Sequence, residues 1–105
     1  MSKPPEFYAN AKKKYPEFFD CYEALSKAAR AAGPLNEKTA ALVKLGLAIG
    51  SGLEGATHSS TRKARAAGCT SEEIEHVALL GVTSIGFPAM MRARAWIGDV
   101  LKDDE

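Results

Sequence analysis

Glu54, His58 and Arg62 fall at intervals of four residues in the stretch Leu53-Glu54-Gly55-Ala56-Thr57-His58-Ser59-Ser60-Thr61-Arg62. On a helix that spacing places all three on one face, a turn apart. A carboxylate one turn from an imidazole can orient the ring and hold its tautomer. An arginine one turn further on can grip a carboxylate with two parallel N–H donors. The chemistry such a face could support is binding of a small carboxylate, with His58 as general acid or base and Glu54 beside it. The same triplet also suits a solvated helix face carrying ordinary i, i+4 pairs, and spacing leaves both readings open. Ser59, Ser60 and Thr61 add hydroxyls without a nucleophile arrangement. Thr57, Ser60 and Thr61 are also small enough to let helices pack closely.

Other residues of chemical interest are scattered. His76 reads as a first-turn residue of the next helix, where the helix dipole opposes protonation; a surface or interface place suits it. Two histidines and Glu54 make a donor set that zinc accepts, but no H-x-x-x-H spacing is present, so neither metal nor cofactor is expected. Cys69 stands just before a helix start, a place that can lower a thiol pKa and would suit a single reactive or oxidation-sensing thiol. Cys21 lies among Phe18, Phe19, Tyr22 and Leu25 and reads as a buried small hydrophobe. The two cysteines form no C-x-x-C, and such a pair reads as two thiols. Lys12-Lys13-Lys14 reads as a solvated face, and Lys63, Arg65, Arg92 and Arg94 are dispersed without interleaved aromatics, so nucleic acid is not an expected partner. The glycines at 46, 50, 52 and 55 have neither a preceding strand nor a following lysine, as a phosphate-cradling loop would need.

The elements that must position these residues all read as helix. Alanine is abundant and no segment alternates with period two for long. A short helix is predicted over 6–14, and Pro16 suits the first turn of a second that carries Phe18, Phe19, Tyr22 and Leu25 and stops at Gly33-Pro34. Asn36 is placed to cap a third helix with Leu42, Val43, Leu45, Leu47 and Ile49. Gly46 and Gly50 on it predict close approach of a neighbouring helix backbone. Gly50-Ser51-Gly52 marks a break before a fourth helix over about 52–67, which Gly68 ends. Thr70 and Glu73 spell a capping box for a fifth helix running through Ile74, Val77, Leu80 and Val82 to Ile85. Apolar groups surround most of it, which predicts a central place or a subunit contact. Gly86 and Pro88 end it and restart a sixth with Met90, Met91, Trp96, Ile97, Val100 and Leu101. The tail 102–105 is expected to fray.

At 105 residues the chain is expected to form one domain, over 1–105, with little stability to spare. A formal net charge of +1 supplies no field that would draw it to nucleic acid or a membrane. The apolar runs are too short to span a bilayer, and Met1-Ser2-Lys3-Pro4-Pro5 leads straight into a helical pattern without a signal sequence. A cytoplasmic location is the expectation by elimination. A small bundle with this many apolar helix faces is a candidate for symmetric self-association.

The order of several short blocks resembles the carboxymuconolactone decarboxylase and AhpD-like alkylhydroperoxidase superfamily, in its short form, over nearly the whole chain. The blocks are Tyr15-Pro16-Glu17-Phe18, Ala32-Gly33-Pro34-Leu35, Lys38-Thr39, the run from Leu42 to Ile49, Thr61-Arg62-Lys63-Ala64 to Ala67-Gly68, Glu72-Glu73-Ile74 and Gly86-Phe87-Pro88-Ala89. The resemblance implies an all-α helical bundle of about five to six helices, assembled as homodimers, trimers or hexamers with pockets between helices or subunits. In redox-active members it implies a C-x-x-C pair, a histidine four residues later, and a glutamate that assists proton relay. Those positions fall here on Leu53 and Ala56, Ser60 and Ala41. A dithiol needs two thiols, so peroxide reduction by that route is not expected. Members of the decarboxylase type act on a small carboxylated lactone without the dithiol and generally use a histidine on this helix. Here His58 stands two residues earlier, rotated by about 200° around the helix. The expectation is therefore a decarboxylase-like protein of unknown substrate, with His58 moving a proton, Glu54 orienting it and Arg62 holding the anion. The alternative is a non-catalytic helical homo-oligomer serving as scaffold or interaction protein.

Overall fold

A computed structural model describes residues 5–102. They form seven helical segments: α1 (Glu6–Lys14), α2 (Pro16–Ala31), α3 (Glu37–Gly50), α4 (Glu54–Ala66), α5 (Ser71–Leu80), α6 (Val82–Ile85) and α7 (Phe87–Leu101). Two units meet in sequence between Leu35 and Asn36.

The first unit is the α1–α2 hairpin. Pro16 opens α2 at its first turn, where its missing N–H costs nothing. The Tyr8 and Phe19 rings meet edge to face at 5.3 Å. Lys12 Nζ donates to both oxygens of Glu23, at 2.9 and 3.0 Å, and the Tyr8 hydroxyl donates to Glu23 Oε2. No residue of either helix is buried. Phe18, Tyr22 and Leu25, at i, i+4 and i+7 on α2, stay exposed. Cys21 is exposed as well, which corrects the expectation of a buried residue: aromatic neighbours in sequence bury a side chain only when something covers their face.

The second unit holds the core. Leu45 and Ile49 of α3, Ala64 of α4, Cys69, Ile74 and Ala78 of α5, and Ala93 and Ile97 of α7 form one buried cluster. Full burial of each large aliphatic side chain is worth about 1.5–3 kcal/mol. Local signals set the boundaries. Asn36 Oδ1 accepts the Thr39 amide at 2.8 Å and caps α3. Gly52, at φ 68°, turns the chain out of α3. Gly68, at φ 95°, lets the Cys69 amide bond back to the Ala64 carbonyl after α4. The Thr70–Glu73 capping box opens α5 in both directions, at 3.0 and 2.8 Å.

Three expectations are corrected. The predicted fifth helix is interrupted at Gly81, whose amide bonds Ala78 O and whose carbonyl accepts from Ser84 and Ile85. A Cβ at Gly81 would lie 3.1 Å from Ala78 O and 3.4 Å from the Ile85 side chain, so a larger residue fits this turn only if those neighbours shift by a few tenths of an ångström. Counted from the Thr70 cap, His76 is the sixth residue of α5, in its second turn and not its first, and is exposed. Gly46 admits a side chain, Val77 Cγ1 at 3.7 Å from a Cβ built there, and nothing lies within 4 Å of one at Gly50, so no neighbouring backbone fills the space. Residues 103–105 of the tail lie outside the described residues.

Candidate functional site on α4 and α7

Glu54 is the first residue of α4, where its carboxylate suits the positive end of the helix dipole. His58 follows one turn on, between two anchors. Thr57 and Thr61 are fully buried, and their hydroxyls donate to the carbonyls of Leu53 and Thr57 at 2.8 Å. The helix thus satisfies its own buried polar groups and keeps a fixed face toward the core. On α7, Ile97 and Val100 are buried on either side of Asp99, which sets the face of the helix on which that exposed residue stands.

His58 Nε2 lies 3.0 Å from Asp99 Oδ2. A carboxylate only accepts, so with a neutral ring Nε2 carries the proton and Nδ1 the lone pair. The imidazole is one-quarter exposed and the carboxylate one-half. Neither is sealed from solvent. Glu54, His58 and Asp99 each offer one nitrogen or oxygen within 4.8 Å of the others. The structure therefore brings Glu54 and His58 together and adds Asp99, which the sequence reading did not single out. Arg62 lies one further turn along α4, half-buried. His76 is not in this group; two carboxylates, not a second histidine, stand around His58. Asp99 had one signal in the sequence: it is the sole acid in the α7 segment FPAMMRARAWIGDVL.

The remaining candidates lie elsewhere. Cys69 is buried, its thiol 3.7 Å from the Lys38 carbonyl. Burial, and secondarily the Glu73 carboxylate, push its pKa up. That reverses the expectation of a helix-start thiol made acidic, and leaves Cys69 a core residue. An open depression is lined by Asn36, Glu37, Lys38, Thr39, Leu42, Ala67 and Glu73, and includes none of Glu54, His58 and Arg62.

The chain belongs to the carboxymuconolactone decarboxylase family, whose model matches residues 16–99. Its fold is similar to the crystal structure of the apo form of a carboxymuconolactone decarboxylase family protein from Legionella pneumophila. The TM-score is 0.78 at 23% identity, covering 93% of this chain and 88% of that one. Comparison with curated proteins gives no significant match. Within the family, this chain lacks a C-x-x-C pair, and its cysteines, Cys21 and Cys69, are both free. Dithiol peroxidase chemistry is therefore absent. Among the described residues no helix is long and apolar enough to cross a membrane.

Proposed function

We propose that the protein binds a small carboxylated molecule on the α4–α7 face and, as a decarboxylase-type member, moves a proton with His58. The observation that carries this reading is the His58–Asp99 hydrogen bond. It takes the orienting role first given to Glu54 and leaves Nδ1 as the proton acceptor. Arg62 holds the substrate carboxylate, and Glu54 offers a second carboxylate within 4.8 Å of the ring. No thiol takes part. The test is a panel of small carboxylated lactones followed by NMR amide shifts and by turnover. Shifts confined to α4 and α7, weakened in Arg62→Met, together with a loss of turnover of about 10²–10⁴-fold in His58→Ala, are the expected result. A panel that perturbs neither helix overturns it.

The second reading, a homo-oligomeric scaffold, draws on a different observation. Phe18, Tyr22 and Leu25 are 68%, 56% and 67% exposed on one face of α2, the kind of apolar face that self-association covers. Sedimentation of the purified chain distinguishes a monomer from a dimer, trimer or hexamer.

A further inference from the structure

We infer that Glu54, His58 and Asp99 form a binding site for a divalent transition-metal ion of the zinc type. This goes beyond the carboxylate-binding reading and does not depend on it, since a protein that turns nothing over can still hold the ion.

Three observations converge. First, the donors are one imidazole nitrogen and two carboxylate oxygens, and their atoms lie within 4.8 Å of one another. Nitrogen with oxygen suits zinc, cobalt or manganese; calcium and magnesium favour oxygen alone. Second, the separation between His58 Nε2 and Asp99 Oδ2 is 3.0 Å. Two ligands bonded to one ion at about 2.0–2.1 Å lie roughly 3.0–3.4 Å apart. The distance now bridged by a proton is thus already that of neighbouring ligands, and an ion entering there releases the Nε2 proton to solvent. Third, two carboxylates flank a single imidazole, and among the described residues no hydrogen bond or ion pair engages the Glu54 carboxylate. That carboxylate is exposed, so rotation of its side chain can close the remaining gap.

The scaffold suits the purpose. Glu54 and His58 are one turn apart on α4, and Asp99 comes from α7, so the ion would tie two helices whose buried faces already hold them. Three protein ligands leave coordination positions open to water or to an incoming carboxylate oxygen. A cation there would also neutralise the two carboxylates that otherwise repel an anionic ligand from His58.

The test uses the full chain, stripped with a chelator and dialysed, then titrated with cobalt(II) and zinc(II). Expected are visible cobalt absorption saturating at one equivalent per chain, its displacement by zinc, and selective paramagnetic broadening of the His58 ring protons with those of His76 unaffected. Asp99→Asn, Glu54→Gln and His58→Ala should each weaken binding by about tenfold or more, while His76→Ala leaves it unchanged. Absence of saturable binding, or equal broadening of both histidines, overturns the site. Unchanged affinity in Asp99→Asn does so too. Lactone binding measured on the stripped chain is read separately, so failure of one proposal is not failure of the other.

Discussion

A histidine's chemistry depends on which ring nitrogen holds the proton, and here one carboxylate decides it. Asp99 accepts from His58 Nε2 at 3.0 Å, so the neutral ring should populate the Nε2–H tautomer. Replacing Asp99 with alanine should shift it to a mixture, read from the imidazole ¹⁵N shifts. This partnership was not legible in the sequence. Glu54 and Arg62 were visible because helical spacing is a local rule, whereas Asp99 is 41 residues away from His58 and only packing brings them together. The two thiols teach the same lesson in opposite directions. Cys21 looked buried from its neighbours and is exposed; Cys69 looked activated from its position and is buried with a raised pKa. A disulfide reagent should therefore modify Cys21 in the folded protein and Cys69 only on unfolding, and Cys21→Ser should remove the fast phase.

Helix boundaries were written plainly, because caps and left-handed glycines act over three or four residues. The Asn36 cap, the Thr70–Glu73 box and the stops at Gly68 and Gly86 all stand where the sequence places them. Thr70→Ala should cost about 0.5–2 kcal/mol of stability by denaturant unfolding. The box also carries a pH signature. The Thr70 amide and, after it, Lys38 hold the Glu73 pKa below its usual range. Folding is thus favoured by an ionised Glu73 above its unfolded pKa, and that contribution is lost as pH falls through the folded value. Relative to wild type, Glu73→Gln should lose less stability on acidification through the carboxylate range. The break at Gly81 was hidden because apolar residues continue on both sides of it, and periodicity alone cannot distinguish one long helix from two short ones. Ile97, fully buried in α7, is the test of the core: Ile97→Ala should cost about 2–5 kcal/mol.

As a whole the molecule has the helical frame of its family and no C-x-x-C pair. All-helical character and family were legible because periodicity, caps and glycine punctuation are local signals and because the order of short blocks along the chain resembles the family's. Which groups meet across helices was not. With Leu53 and Ala56 at the positions where the resemblance implies cysteines, thiol-dependent peroxide turnover should be indistinguishable from buffer, and adding a dithiol reductant should not restore it. The cysteine asymmetry has a use of its own. The chain's single tryptophan, Trp96, lies on α7 beneath the Arg92 guanidinium at 4.9 Å, in the unit that holds the core. Cys21 stands on the hairpin. One accepting dye coupled to that thiol therefore forms, with the natural indole as energy donor, a ruler between the two units, and lets any change in their separation be timed in the unsubstituted protein.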